Sequence, residues 1–352
     1  MTNRFCLLPL AAILAMASLT PAAAQEEGGG PRKAAPDYPA PQSFPHEDKA
    51  QVAIHLSRAR KLAGTDLFPD MAHRCIISPM FPRRVQGIQY NGKITPTRIF
   101  DNLYSVGQNE VSAFALDTSG GIILFDALSS ADEAEHLLIP NMVALGLNPA
   151  RIRYVVVTHA HGDHYGGAKF IQDRYGAKAV ASAIDWDEMG RAFSADRGPF
   201  RNLPIPRRDI AMADGETLTL GDTTIRFYVT PGHTPGTLSA IFTVRDRGVA
   251  HVVGFHGGTG GGRDPAALRT SIPAFERWER ISKAAGADTL ISNHPLHSES
   301  LEKEEIVRHR LPGDTNPFVI GRSAYQRYVA IQAECARVQL ARMGMAEAGD
   351  AR

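Results

Sequence analysis

The apolar periodicity of the chain changes character along its length. Residues 26–45, EEGGGPRKAAPDYPAPQSFP, have no hydrophobic period and are rich in Gly, Pro and charge, the composition of a flexible linker. Residues 48–64 carry Val52, Ile54, Leu56 and Leu62 among good helix formers and stop at Gly64. That pattern predicts a short helix, with His55 as a surface or packing residue. From about Thr95 the texture becomes strands separated by turns. TRIFDNLYSVG and VSAFALDTSGGIILFDAL predict β-strands, with a hairpin at Ser119-Gly120-Gly121. Residues 131–146 suit a helix interrupted by Pro140, and RIRYVVVTH reads as a buried strand. A second round follows: GAKAVAS as strand, WDEMGRAF as helix, a hairpin turning at Gly221-Asp222, and a further hairpin in GTLSAIFTVRDRGVAHVVGFHGG. Helical segments and ADTLISNHPLH close the chain. Two β-rich halves with interspersed helices predict two packed sheets covered by helices on the outside.

Composition limits the chemistry. In 352 residues, 38 Lys and Arg meet 37 Asp and Glu, so the basic surplus of a phosphate-gripping protein is missing and nucleic acid is not an expected partner. The N-terminus, MTNRFCLLPLAAILAMASLTPAAAQ, has Arg4, an apolar run from Phe5 to about Leu19, and Ala22-Ala23-Ala24 before Gln25. It reads as an export signal cut after Ala24, with no membrane anchor, which makes the mature chain periplasmic or secreted. Cutting there leaves Cys75 and Cys335, expected to form a disulfide in an oxidising compartment; two separately buried thiols are the alternative.

The densest chemistry lies in THAHGDHYGG, residues 158–167. An apolar strand ending at Val157 delivers His159 and His161 two residues apart, so in extended chain both imidazoles lean the same way and can share one metal ion. Gly162 permits a sharp turn, after which Asp163 and His164 can reach a neighbouring position. Neutral imidazoles with one carboxylate suit zinc, although iron or manganese would also accept them.

The stretch HAHGDH resembles the HxHxDH signature of the metallo-β-lactamase superfamily. The resemblance extends through GIILFDAL with Asp126, TPGHTPG with His233 and SNHP with His294, in the family's order. It implies an α/β fold, the αββα sandwich, over residues 91–300. A signal peptide (1–24), a linker (25–47) and a helical extension (48–90) precede that catalytic domain, and a helical tail (301–352) packs on it. It also implies two zinc ions per chain, one held by His159, His161 and His233, the other by Asp163, His164 and His294. Asp126 is then expected to orient a ligand, and His297 is a weaker ligand candidate. Two such ions, about 3.5–4 Å apart, imply a bridging hydroxide that attacks a carbonyl, with Asp163 orienting it. Between His251 and Gly262 there is neither Asp nor Cys, unlike thioesterase-like members or the commonest lactamase subclass. That gap resembles the third subclass of class B β-lactamases. In its loop HGGTGGGR, His256 is expected to have an active-site role, and His256, Thr259 and Arg263 are candidate contacts for a small-molecule substrate. The implied activity is β-lactam hydrolysis; another lactone, ester or amide is the runner-up. A non-catalytic zinc-stabilised binding protein and a nuclease are weaker readings.

Overall fold

A computed structural model describes residues 40–82, 92–194, 202–258, 260–262 and 264–345. Its described strands form a seven-stranded and a five-stranded sheet. The first runs in chain order through β1 (Thr97–Arg98), β2 (Leu103–Ser105), β3 (Phe114–Thr118), β4 (Gly121–Phe125), β5 (Ile152–Val156), β6 (Lys178–Ser182) and β7 (Ile210–Met212). Pairing is antiparallel as far as β4 and parallel from β4 to β7. The second comprises β8 (Thr217–Leu220), β9 (Thr223–Val229), β10 (Leu238–Asp246), β11 (Val249–Phe255) and β12 (Thr289–Leu290), and only β11 and β12 are parallel. The three predicted hairpins turn where expected, with Thr118 paired to Gly121, Leu220 to Thr223 and Asp246 to Val249.

The helices are α1 (Lys49–Ala63), α2 (68–80), α3 (131–144), α4 (Gly162–Tyr165), α5 (Ala168–Tyr175), α6 (Ala183–Ser194), α7 (Pro265–Ala285), α8 (Ser300–Arg308) and α9 (Arg322–Arg342). β4 explains why they lie outside the sheets. Its Ile122 and Leu124 pack with Leu138, Ile171 and Met189 of α3, α5 and α6, while Ile123 and Phe125 face the second sheet. There Phe125 stacks on Phe242, with ring centroids 5.3 Å apart. On the far side, Tyr228, Ile241 and Val252 meet Ala59, Trp278 and Tyr325 of α1, α7 and α9. Each sheet is thus apolar on both faces and takes one from its partner and one from helices. This is the expected αββα sandwich.

Asp48 caps α1 by accepting from the Gln51 amide, and Gly64 ends it with a positive φ of 58°. His55 is buried rather than on the surface, its Nδ1 2.8 Å from Glu334 of α9. Pro140 does not interrupt its helix. The turns over Ala134–Leu138 widen to a π-helix just before it, which accommodates the missing N–H while the chain stays helical to Ala144. Cys75 of α2 and Cys335 of α9 are disulfide-bonded. No described helix is long and apolar enough to cross a membrane.

Glu304 of α8 is buried beside Ser105 of β2, and burial pushes its carboxyl up to about 7. A raised folded-state pKa stabilises fully only below the unfolded value, and that stabilisation is lost as pH rises through about 7. Glu304→Gln is therefore expected to stabilise the fold at pH 8 by on the order of 3 kcal/mol, raising the melting temperature there, and to leave it nearly unchanged at pH 4. Parallel melting curves at the two pH values check this, and an equal shift at both would refute it.

Candidate metal centre

The six residues read as ligands come from three chain segments at one edge of the sandwich. Thr158–His161 follow β5, and His161 opens α4, which carries Asp163 and His164. His233 lies between β9 and β10, and His294 follows β12. Loops beyond the C-terminal ends of parallel strands are where α/β folds present ligand sites, because strand directions bring several loops together there. His159, His161 and His233 form one group and Asp163, His164 and His294 a second; in each, one ligand atom per residue lies within 4.8 Å of the others. The groups adjoin, with the His159 and His164 rings 4.0 Å apart at their centroids.

Hydrogen bonds set which imidazole nitrogen faces inward. His159 Nδ1 is 2.8 Å from the Gly257 carbonyl, His164 Nδ1 2.8 Å from Asp126 Oδ2, and His294 Nδ1 2.8 Å from the Glu110 carbonyl. These oxygens only accept, so each Nδ1 donates and each Nε2 is left as a lone pair. His159 Nε2 and His233 Nε2 are buried without hydrogen-bond partners, and His164 Nε2 lies 3.1 Å from His294 Nε2. Buried lone pairs converging with a carboxylate fit a divalent cation, which would satisfy them together.

Electrostatics agree with that fit. Burial, then the neighbouring imidazoles, holds His159 and His233 well below the ordinary histidine pKa, and burial with His164 holds His294 down at about 4. All three are therefore neutral near pH 7, as metal ligands must be. Burial would raise Asp163, but His164 and His294 beside it keep its carboxyl well below the usual range. Burial also opposes charge on His164, yet Asp163 and Asp126 push it up to about 10, so the surroundings of this ring favour a positive charge, which a cation at Nε2 would supply in place of a proton.

Two carboxylates anchor the loops. Asp126, with φ at 60°, accepts from the Thr158 amide, the Thr158 hydroxyl and His164, each at 2.8 Å. Asp185, at the start of α6, accepts from the Ala160 amide at 3.0 Å, the Thr234 hydroxyl at 2.7 Å and the Gly236 amide at 2.8 Å. It ties the His159–His161 loop to the His233 loop, and burial pushes its carboxyl up to about 6. Sequence reading missed Asp185, because no spacing relates it to either loop. It also missed Asn293, whose Nδ2 donates to the Gly257 carbonyl at 2.7 Å, although the residue precedes His294. Glu110 was missed as well; burial and then Asp163 raise its carboxyl.

Other candidates lie apart from these groups. His256 packs on Phe275 and Trp278 of α7, with ring centroids 5.0 and 6.1 Å away, and belongs to neither ligand group. His297 sits edge-on to His73 at 5.5 Å, 6.1 Å from the His294 ring, and is likewise in neither group. It lines a cleft of about 400 Å³ with Asp70, Asn109 and Glu302. Thr259 and Arg263 lie outside the described residues.

Residues 106–252 match the family model of the metallo-β-lactamase superfamily. A probable metallo-hydrolase of Burkholderia pseudomallei is 36% identical over 118 residues, which is 33% of this chain and 37% of that protein. A hydroxyacylglutathione hydrolase of Acidiphilium cryptum is 36% identical over 92 residues, 26% of this chain and 31% of that protein. The match thus spans about a third of the length of these curated relatives. The crystal structure of BJP-1, a subclass B3 metallo-β-lactamase of Bradyrhizobium japonicum, aligns with a TM-score of 0.59 at 26% identity, covering 69% of this chain and 92% of that one. The segment 106–252 thus matches the metallo-β-lactamase superfamily, and the fold around it is similar to that of a subclass B3 enzyme.

Proposed function

We propose that the chain is an exported hydrolase that opens β-lactam rings, using zinc held by His159, His161 and His233 and by Asp163, His164 and His294. The observation that carries this reading is the pairing of an all-histidine group with an Asp-His-His group side by side, in a fold shared with a subclass B3 enzyme. Bound there, two zinc ions supply an electrophile for a carbonyl oxygen and a water acidic enough to attack near neutral pH. The chain's own residues do the positioning. The Gly257 and Glu110 carbonyls and Asp126 aim three imidazoles inward, and Asp163 orients the attacking water. No described Asp, Glu or Cys belongs to both groups, which favours the lactam reading over members with a bridging carboxylate. The cleft lined by Asn109 and His297 has the volume of a small-molecule subsite and offers room for ring substituents. The Cys75–Cys335 disulfide supports export.

A second reading, thioester hydrolysis, is favoured by the 36% identity to a hydroxyacylglutathione hydrolase. The purified zinc-loaded chain is expected to hydrolyse a carbapenem or cephalosporin, to lose that activity on chelation, and to leave a 2-hydroxyacyl glutathione thioester and acyl-homoserine lactones untouched. Full metal occupancy with turnover of the thioester or lactones, and none of the lactams, would overturn the lactam reading.

A further inference from the structure

His256 reaches the metal centre through the backbone of its own loop. The Gly257 carbonyl receives His159 Nδ1 at 2.8 Å and Asn293 Nδ2 at 2.7 Å, and the Gly257 amide donates to Ser239 Oγ at 3.0 Å. A Cβ on Gly257 would stand 2.1 Å from the Leu238 carbonyl, and one on Gly258 would stand 2.5 Å from His233 Cβ. The loop 256–258 therefore lies flat against two ligands of the all-histidine group, and only glycine allows that approach. His256 Nδ1 closes the loop on itself, 2.7 Å from the Gly258 carbonyl, while its ring rests on Phe275. Its Nε2 is buried, lacks a hydrogen-bond partner and belongs to neither ligand group.

We infer that His256 is a positioning residue for the His159–His161–His233 site: its Nδ1–H holds the Gly257 and Gly258 backbone against His159 and His233, which fixes their rings for metal. This rests on the reading that both groups hold metal. Outer groups that orient metal ligands typically affect affinity about 10–100-fold.

The test is zinc titration of the full mature chain against a chromophoric chelator, with cobalt(II) absorption reporting ligand geometry. His256→Phe keeps the stacking on Phe275 and removes the donor; His256→Asn keeps a donor in place of Nδ1 and removes the stacking. We expect His256→Phe to weaken one metal equivalent by about 10-fold or more, with an altered cobalt spectrum and the other equivalent unchanged. His256→Asn is expected to bind both nearly as the parent does. Metal-free melting curves check folding, and His256→Leu replaces the Phe variant if that one fails to fold. Parent-like binding in His256→Phe, or equal weakening in the Phe and Asn variants, overturns the inference while leaving the two-metal reading intact. A parent chain that binds no metal overturns both.

Discussion

Asp126→Asn is expected to cost about 10–100-fold in affinity for the metal of the Asp163–His164–His294 group, and as much in hydrolysis at limiting zinc. The substitution changes the shape of the side chain little, but it removes the charge and replaces one accepting oxygen with a donating NH2. Asp126 accepts from the Thr158 amide through Oδ1, and from the Thr158 hydroxyl and His164 Nδ1 through Oδ2. With Asn keeping its oxygen toward the Thr158 amide, the new NH2 faces His164 Nδ1, which must then become the acceptor. The ring proton moves to Nε2, the nitrogen that must ligate. Excess zinc should recover part of the activity by mass action, while the metal-free melting temperature shifts little. Titration of the second metal equivalent in the variant checks the result, and parent-like affinity would show that Asp126 does not set this tautomer. Asp126→Ala should be worse for folding, since it strands buried donors at about 1–3 kcal/mol each.

The second large effect concerns stability. Cys75 and Cys335 are separated by 260 residues in sequence, and their bond joins α2 to α9 on the outer helical layer of the second sheet. Closing so long a loop restricts the unfolded chain by about 5–6 kcal/mol on the chain-entropy account. Reduction, or Cys335→Ser, is therefore expected to lower the melting temperature by on the order of 10 °C. Melting the metal-free chain with and without a phosphine reductant measures this. A shift below about 2 °C would mean that packing of α9 on α1 and α7 already holds the layer without the covalent link.

Much of the fold was legible because each β-rich half alternates at a period of two. β4 carries both alternations at once, Ile122 and Leu124 toward helices and Ile123 and Phe125 toward the other sheet. That is why it appears in sequence as an unbroken apolar run. The hairpins were legible from Gly at their turns. Pro140 misled, because periodicity carries no information on whether a helix can widen by one residue before a proline.

For the candidate site, local chemistry was enough to mark THAHGDHYGG as a candidate metal site, since imidazoles two residues apart on an extended segment lean the same way. Motif order alone brought in His233 and His294, and the structure places them beside the motif's residues. Nothing local could show that Asp185, well past the motif, spans two ligand loops, or that the Gly257 carbonyl sets the tautomer of His159. Nor could it show that His256 rests its ring on Phe275 while its Nδ1 closes on the Gly258 carbonyl. Ligand identity is written in side chains close together in sequence. Ligand orientation depends on hydrogen bonds between residues 36 to 184 apart in sequence, and those exist only once the elements have packed.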